Sequence, residues 1–369
     1  MDYKEKTQAE LATHASRITG LNALVGLDGF VDRILTPVDK RYGPGDHFDP
    51  LKTITAFGER VLAAAGKSTN IEMFPVQEKL GGNGPIMANA LYQGGLPTRY
   101  LGALGDPDVV PVFKTFAAQT QAVTIAEPGL TNALEFEDGK LMLNSMGGLD
   151  AITYDSIVAK VGEGLFFDMI SRADLIAWVN WTMIAHMTGF FNDLLNRVLP
   201  TLGPRDHRIF FFDLADPGKR TDADILGVLR LLHRFQAYGS AILGLNLSEA
   251  QQISRVLGLG NFENDADGLK KMASSIRAEV DVSCVVIHPT DSAACATQDD
   301  AVWTKGPFTP KPKITTGAGD HFNAGFCIGR LLDLSLEASL TLAVSFSGYY
   351  VRNAKSPSLH DIGPFLQQA

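Results

Sequence analysis

Cysteine is scarce in this sequence, and its scarcity bears on both fold and location. The 369 residues include three cysteines, Cys284, Cys295 and Cys327, and no two of them form a CxxC pair. An odd number of widely spaced cysteines argues against a disulfide framework and against a structural zinc site. We therefore expect three buried thiols in a reducing compartment.

Basic charge is also in short supply. The chain carries 41 acidic and 32 basic residues, which gives a net charge of −9. A protein this acidic has no general field with which to hold polyanions, so we expect no nucleic-acid partner. Small anions are a different matter, because they bind wherever backbone N–H groups converge on one point.

A long uninterrupted apolar run is missing as well. The nearest candidate is the segment 175–192, which contains Asn180, Thr182, His186 and Asn192. Polar groups are costly in lipid, so the segment is interpreted as a buried strand followed by a turn and a helix, with no membrane partner. The first residues of the chain, MDYKEKTQAE, are too polar for a secretory signal, and the expected location is the cytoplasm.

What the sequence does have is a regular alternation of apolar strands and helical segments. The strands are DLIAWVNW, RIFFFDLA, AILGLNLS and CVVIHP, and each is followed by a helical segment. Continuous apolar strands that alternate with helices predict a mostly parallel sheet covered on both faces, which is a three-layer αβα fold. Because no repeat and no low-complexity linker interrupts residues 1–369, we expect a single domain.

A small β lid is predicted beside this sheet. An extended segment is expected over 70–80, and a hairpin over 133–144 that turns at Asp138-Gly139. We expect the lid strands to come from about 36–80 and 131–145 and to exclude water from a site beneath them.

The sharpest local signal is TTGAGDHFNAGF, residues 315–326. Gly317, Ala318 and Gly319 let the backbone turn tightly and present N–H groups at the start of a helix, which form a cradle for an anion such as phosphate. Asp320 follows at once, where its carboxylate can accept a proton from a substrate hydroxyl. The alternative is a glycine loop whose aspartate only caps its helix.

Two acidic residues and a glycine turn form a second candidate group. Asp28 and Asp32 lie four residues apart in the expected strand LNALVGLDGFVDRI, so both carboxylates are expected on one face, where they can accept hydrogen bonds from the hydroxyl groups of a ligand. The turn GGNG brings the backbone of Gly81 and Gly82 close to a ligand and adds the amide of Asn83. The alternative is that one or both aspartates are solvated loop acids.

Two further elements lie between these motifs. NLSE places Asn246 and Glu249 at the junction of a strand and a helix, where they either cap the helix or help to place a metal ion and phosphates. FFFDLADPGKR supplies four more polar side chains, which either contact a ligand or form surface ion pairs. These are Asp213, Asp216, Lys219 and Arg220.

The order of the motifs carries more information than any one of them. A strand with an aspartate, a GG turn, an NxxE element and GAGD resemble, in this order and over nearly the whole chain, the ribokinase-like (PfkB) carbohydrate kinases. The resemblance implies a ribokinase-like fold and transfer of the γ-phosphoryl group of MgATP to a hydroxyl of a sugar or sugar-like molecule. It makes Asp320 the catalytic base and 317–319 the anion hole. It assigns the acceptor to Asp32 and the GGNG turn, with Asp28 as a further candidate.

The same resemblance implies where the nucleotide and the metal ion bind. The expected nucleotide contacts are Asn246, Glu249, Thr316 and His288, and Glu249 is expected to hold Mg²⁺ through water. Relatives often pair their lids, so a homodimer through the lid is a further expectation.

Two positions depart from the family pattern and leave the acceptor open. Ile86 stands where many relatives carry a sugar-binding asparagine, although Asn89 follows about one helical turn later. His288, Pro289 and Thr290 replace the usual Thr-Leu-Gly turn, and Pro289 removes an N–H donor. A nucleoside or vitamin-type alcohol kinase of the same fold therefore remains an alternative, as does a non-catalytic sensor of sugar or nucleotide.

Overall fold

The structure is a computed structural model, and it describes residues 3–368. Within that range the α-helices are α1 (Tyr3–His14), α2 (Ile54–Leu62), α3 (Asn83–Gln93), α4 (Lys114–Gln119), α5 (Tyr154–Val161), α6 (Glu163–Arg172), α7 (Met187–Asp193), α8 (Leu199–Leu202), α9 (Asp222–Leu232), α10 (Leu247–Val256), α11 (Ala266–Val280), α12 (Ala318–Leu331), α13 (Leu336–Asn353) and α14 (Leu359–Gln368). The strands are β1 (Ala23–Leu27), β2 (Phe30–Arg41), β3 (Phe48–Pro50), β4 (Met73–Gly81), β5 (Thr98–Gly102), β6 (Val123–Thr124), β7 (Gly129–Phe136), β8 (Gly139–Ser145), β9 (Leu175–Val179), β10 (Ile209–Asp213), β11 (Ser240–Asn246), β12 (Cys284–His288), β13 (Ser292–Ala296) and β14 (Ala301–Lys305).

A nine-stranded sheet forms the body of the molecule, in the order β14-β13-β12-β11-β10-β9-β1-β5-β6. The strands are parallel except where β13 pairs with β12 and β14 with β13. Successive side chains of a strand point to opposite faces, so Phe210 and Phe212 enter one apolar core and Phe211 enters the other. Helices α5–α11 cover the first face, and α1, α3, α4 and α12–α14 cover the second. The predicted three-layer, mostly parallel α/β architecture is confirmed.

A second, smaller sheet forms the lid. Strand β2 pairs with β4 on one side and with β7 on the other, β8 pairs with β7, and β3 pairs with the far half of β2. The hairpin expected over 133–144 is present, with β7 and β8 joined by a two-residue turn. The lid strands come from 30–50, 73–81 and 129–145, so the lid starts some residues before the expected 36–80.

The single strand expected over 21–34 is wrong, because the chain leaves the body sheet in its middle. Strand β1 ends just before Asp28, and β2 begins the lid just after Gly29. Gly29 lies against the carbonyl group of Ala103 with no room for a Cβ atom, so the chain passes this point without a side chain. Asp28 and Asp32 therefore do not share the face of one strand.

The other apolar segments fold as expected. The four apolar segments of the alternating region are β9, β10, β11 and β12, and residues 175–192 comprise β9, a turn and most of α7. Over residues 3–368, no helix is both long and apolar enough to cross a membrane. The three cysteines are buried free thiols.

Candidate active site

Polar side chains gather where the parallel strands of the body end. Asp28 follows β1, Asn180 follows β9, and Asp213, Asn246 and His288 are the last residues of β10, β11 and β12. The carboxyl ends of neighbouring parallel strands meet at one edge of a sheet, which is where open α/β sheets bind ligands. The lid belongs to the same edge, since only two residues separate β1 from β2.

Two cavities open at this edge. The first, called the lid cavity, has a volume of about 340 Å³, and the second, called the loop cavity, has a volume of about 480 Å³. Both fall in the range of small-molecule sites, about 300–1,000 Å³. The lining of the lid cavity includes Asp32, Asn83, Asn144, Lys219, Glu249 and Asp320. The lining of the loop cavity includes Asn246, His288, Thr290, Pro307, Phe308 and Val351.

The glycine loop at the start of α12 separates the two cavities. Gly317 and Asp320 line the lid cavity, whereas Ala318 and Gly319 line the loop cavity. Gly317 has a φ of 91°, which L side chains rarely adopt, and a Cβ atom there would lie 3.0 Å from Ile86 Cγ2. Because α12 begins here, its N–H groups and the positive end of its dipole face the boundary between the cavities. An anion that spans this boundary is therefore stabilised.

The NxxE element lies across the same boundary. Asn246 lines the loop cavity and Glu249 lines the lid cavity. The two residues form a capping box on α10, in which Asn246 Oδ1 accepts from the Glu249 N–H at 3.0 Å and Glu249 Oε2 accepts from the Asn246 N–H at 2.8 Å. Glu249 Oε1 accepts from the N–H of Asp216 at 2.8 Å, and burial raises the pKa of Glu249. The carboxylate thus caps a helix and also faces a cavity.

Asp320 is a buried carboxylate of the lid cavity, as are Asp32 and Glu249. Its Oδ1 accepts a hydrogen bond from Asn83 Nδ2 at 3.0 Å. Burial, reinforced by nearby carboxylates of which Asp213 acts most strongly, raises the pKa of Asp320 well above its usual range. A carboxylate in such surroundings is a stronger base than an exposed aspartate, so it can take a proton from a bound hydroxyl.

Asp28 lines neither cavity. It is fully buried and accepts hydrogen bonds from the N–H groups of Asn83 at 3.0 Å and Gly84 at 2.8 Å, and from Asn180 Nδ2 at 2.6 Å. The Tyr100 hydroxyl donates to its main-chain oxygen. Burial raises the pKa of Asp28 to about 6. In the structure, Asp28 holds the start of α3 in place and, through it, the side chain of Asn83, which contacts Asp320.

Asp32 reaches the lid cavity from the lid. The strand register sets it beside Lys79 of β4 and Thr131 of β7. Burial raises the pKa of Asp32, and a hydrogen bond from Thr131 and the charge of Lys79 oppose that rise. Gly81 lies against the carboxylate with no room for a Cβ atom, so the first glycine of the GG turn makes space for Asp32. Gly82, with a φ of 96°, lines the cavity itself.

The four polar residues of FFFDLADPGKR take different places. Asp213 is buried, and burial together with the charge of a neighbouring carboxylate raises the pKa of Asp213 to about 7. Lys219 lines the lid cavity and forms an ion pair with Asp216 at 3.2 Å. Arg220 donates from Nε and Nη2 to three main-chain oxygens of residues 181–184, and it lines neither cavity.

His288 packs against the glycine loop from the side of the loop cavity. A Cβ atom on Gly319 would lie 3.2 Å from His288 Cε1, and the His288 ring lies 4.6 Å from the ring of Phe322. Burial lowers the pKa of His288 to about 4, so the imidazole is neutral at neutral pH. Pro289 and Thr290 line the same cavity.

Several residues of the lid cavity carry no clear signal in the sequence. They are Thr131, Met142, Asn144, Asn180 and Met183. Of these, Asn180 had the best available signal, a polar residue directly after an apolar strand. Ile86 and Thr316 also line this cavity, whereas Asn89 donates to Ser356 Oγ at 3.0 Å and so does not replace the missing family asparagine.

A mostly parallel sheet, a β lid and a glycine loop between two cavities define a protein of the ribokinase fold. Ribokinase from Thermotoga maritima matches with a TM-score of 0.63 over 94% of this chain and 99% of that chain, at 16% identity. Arabidopsis thaliana ribokinase, solved with ribose and ATP, matches with a TM-score of 0.62 over 94% of this chain and 98% of that chain, at 14% identity. A carbohydrate kinase from Agrobacterium tumefaciens matches with a TM-score of 0.64 over 94% of this chain and 97% of that chain, at 14% identity. The ribokinase-like fold implied by the motif order is confirmed.

The family follows from the sequence. Residues 4–369 match the family model for prokaryotic ketohexokinase, and the chain belongs to that family. The chain is 27% identical to ketohexokinase from Haloferax volcanii over 354 residues, which are 95% of this chain and 92% of that protein. The protein is a carbohydrate kinase, which transfers a phosphoryl group from ATP to a sugar hydroxyl. This outcome favours the first interpretation of the motifs over the nucleoside kinase and the sensor.

Proposed function

We propose that this kinase phosphorylates a ketohexose held in the lid cavity, with ATP bound in the loop cavity. The proposal is supported chiefly by the glycine loop and the NxxE element, which lie on the boundary between the two cavities. A phosphoryl group that passes from one cavity to the other must cross that boundary. The choice of a ketohexose follows the family and the Haloferax volcanii relative.

Asp320 is the proposed catalytic base. Asn83 holds Oδ1 at 3.0 Å, and the residue faces the lid cavity, so the acceptor hydroxyl approaches the other carboxylate oxygen. As the hydroxyl oxygen bonds to phosphorus and the bond to ADP breaks, the hydroxyl proton passes to Asp320. Phosphoryl transfer needs little covalent help from a protein, so position and electrostatics supply most of the rate gain.

The N–H groups of the glycine loop are proposed to receive the charge of the transferring group. Ala318 gives its N–H to the carbonyl oxygen of Thr315 at 3.1 Å, so the proposed donors are Gly317 and Gly319. Thr316 and Asn246 flank these donors and are proposed to contact the phosphates, and neutral His288 is proposed to support the loop from the nucleotide side.

The lid cavity is suited to a neutral polyol. Within the described residues its lining holds four carboxylates and a single basic side chain, Lys219, which is already paired with Asp216. A sugar acid or a sugar phosphate would face this negative charge, whereas neutral hydroxyls donate hydrogen bonds to it. The proposed acceptor contacts are Asp32, Thr131 and Asn144.

Glu249 is the proposed contact to Mg²⁺, through water. The part of the chain that the structure describes has no group of three ligating side chains, which suits an ion that keeps several waters and binds mainly to nucleotide phosphates. Each oxygen of Glu249 accepts one backbone N–H and retains a lone pair for water. When bound, the ion would offset charge on the phosphates.

The outer face of the lid is the proposed site of self-association. Val76 of β4 and Leu143 of β8 are 58% and 51% exposed, which is unusual for apolar side chains on a sheet. Strand β8 is an edge strand, so its free backbone groups can pair with a second copy. We propose a homodimer through the lid, in the cytoplasm, where ATP and reduced thiols occur together.

The test is ADP release with MgATP on a panel of ketohexoses, aldohexoses, sugar acids, sugar phosphates, nucleosides and pyridoxal-type alcohols. We expect kcat/KM for a ketohexose to exceed that for a matched sugar acid by about tenfold or more, because the acid meets like charge. Turnover restricted to nucleosides or pyridoxal-type alcohols would contradict the proposal. So would a panel without turnover from a protein that binds no ATP in calorimetry.

A further inference from the structure

A chain of polar side chains lies behind the glycine loop, and the proposed mechanism does not use it. It begins with His321, which follows Asp320 on α12, is 1% exposed and lines neither cavity. His321 Nδ1 lies 2.7 Å from the carbonyl oxygen of Gly317, and Nε2 lies 2.8 Å from Ser356 Oγ. Ser356 Oγ in turn accepts a hydrogen bond from Asn89 Nδ2 at 3.0 Å.

These contacts fix the direction of every hydrogen bond in the chain. A carbonyl oxygen only accepts, so His321 carries a proton on Nδ1 and donates it to Gly317. A neutral ring then has a lone pair on Nε2, which accepts from the Ser356 hydroxyl, whose oxygen accepts from the Asn89 amide. Burial lowers the pKa of His321 to about 4, in agreement with a neutral ring. The neutral tautomer of His321 with its proton on Nδ1 therefore accounts for all three hydrogen bonds of this chain, to Gly317, from Ser356 and from Asn89 to Ser356.

A second ring lies against the first. The Tyr350 ring of α13 stacks on His321 with the ring centres 3.6 Å apart and the planes 15° apart. The Tyr350 hydroxyl donates to the carbonyl oxygen of Thr316 at 3.0 Å, and burial raises the pKa of Tyr350 to about 12, so the hydroxyl keeps its proton. Two stacked rings thus hold two consecutive carbonyl groups, those of Thr316 and Gly317.

Holding these carbonyl groups also aims the N–H groups of the loop. The peptide unit is planar and trans, so the C=O of one residue and the N–H of the next point in opposite directions. The contact to Thr316 therefore sets the direction of the Gly317 N–H. The peptide unit of Gly317 and Ala318 is held at both ends: the Gly317 carbonyl accepts the main-chain N–H of His321 at 3.1 Å, and the Ala318 N–H closes the turn onto Thr315 at 3.1 Å. The His321 imidazole adds a third hydrogen bond to this unit.

We propose that His321 is a positioning residue for phosphoryl transfer: by donating from Nδ1 to the Gly317 carbonyl, it fixes the loop whose N–H groups receive the transferring group. The inference rests on the proposed function of that loop. His321 touches neither ligand, so its loss lowers kcat and leaves the KM values for ATP and sugar nearly unchanged.

Three variants separate this hydrogen bond from packing. His321→Asn keeps a side-chain N–H near the place of Nδ1, His321→Gln moves it to the place of Nε2, and His321→Phe keeps a flat ring against Tyr350 without any N–H. Since loss of one direct donor costs about 10²- to 10³-fold in kcat, we expect a loss of about 10- to 100-fold for Gln and Phe and less than about threefold for Asn. Equal losses in all three variants would show a merely structural role and overturn the proposal, as would a kcat near wild type in the Gln variant.

Amide hydrogen exchange measures the position of the loop without any turnover. We expect faster exchange in peptides that cover 315–322 in the Gln and Phe variants, and wild-type exchange in the Asn variant. Unchanged exchange in the Gln variant would overturn the proposal. If the wild type phosphorylates no sugar on the panel, the proposed function fails, while the exchange data still decide whether His321 holds the loop.

Discussion

The lid cavity and the loop cavity share a wall but differ in charge. The lid cavity is lined by the carboxylates of Asp32, Asp216, Glu249 and Asp320. As far as the structure describes the chain, no Asp, Glu, Lys or Arg lines the loop cavity, where His288 is held neutral. Hydroxyl groups find acceptors in the first cavity, whereas the second offers apolar surface and backbone groups and does not repel phosphates.

The proposed sugar site and the proposed ATP site therefore hold their ligands by different forces, on either side of one loop. A change within one cavity is therefore expected to affect one ligand, and a change in the shared wall to affect the chemistry. Four substitutions test this account of the site.

The strongest effect is expected at Asp320, which follows the glycine loop between the two cavities. Asp320→Asn keeps the size of the side chain but removes the base, so we expect kcat to fall about 10³-fold. The Kd of ATP, measured by calorimetry, changes little because the loop cavity is untouched. Asp222→Asn is the matched control, since Asp222 is an exposed aspartate on α9 paired with Arg255 at 2.9 Å. A near-normal kcat in Asp320→Asn would remove Asp320 from the role of base.

A smaller effect is expected within the loop cavity. A Cβ atom on Gly348 would collide with the ring of Pro307, which lines that cavity with Phe308 and whose carbonyl accepts from Arg352 at 2.6 Å. To relieve this collision Pro307 must shift in the wall of the loop cavity, so we expect Gly348→Ala to raise the KM of ATP about tenfold and to spare that of the sugar. Gly363→Ala on α14 is the control, because open space surrounds that position.

The reciprocal variant lies in the other cavity. Asp32→Asn removes a charged hydrogen-bond acceptor, worth about 1.5–3 kcal/mol, and we expect it to raise the KM of the sugar about tenfold or more while sparing that of ATP. Steady-state kinetics with each substrate varied in turn would show that Gly348→Ala raises only the KM of ATP and that Asp32→Asn raises only the KM of the sugar. If either variant raised both KM values equally, the separation of the two cavities would be wrong.

The smallest effect concerns the charge around the base. As the proposed base, Asp320 acts only when ionised, so we expect activity to be lost as the pH falls through its raised pKa. Asp213 is the charged group that raises this pKa most. Asp213→Asn removes that negative charge, so the acid limb of the kcat profile moves to lower pH, by less than about one unit. Asn323 can adapt, because its Nδ2 donates to Asp213 Oδ2 at 2.7 Å and its Oδ1 lacks a partner within the described residues. A shift to higher pH would contradict this account.

Residues with local roles could be predicted from the sequence, whereas residues with long-range roles could not. The glycine loop and Asp320 follow from a pattern of neighbouring residues at a helix start. Asp28 and Asp32 look alike in sequence, but the chain leaves the body sheet between them, where Gly29 lies against distant Ala103. Asp28 therefore supports a turn, whereas Asp32 belongs to the lid and lines a cavity. Their roles toward substrate remain predictions.

The cavity residues without a motif show the same limit. Asn144 comes from the hairpin and Asn180 from the end of a body strand, and they meet only because the lid folds over the sheet. No short sequence motif predicts that Asn144 and Asn180 line the same cavity. In contrast, the hydrophobic pattern of each segment indicates locally whether it forms a strand or a helix. The architecture could therefore be predicted, whereas the lining of the cavity could not.

The lid and the glycine loop also differ in the order in which the ribosome synthesises them. The last lid strand ends at Ser145, whereas α12 begins at Ala318. A chain whose synthesis stops before Asp320, or one that is cut ahead of it, keeps the proposed sugar contacts of the lid but lacks the complete loop and the base. Since the proposed base and the proposed anion-binding loop are synthesised late, an incomplete chain lacks the residues that are proposed to transfer the phosphoryl group.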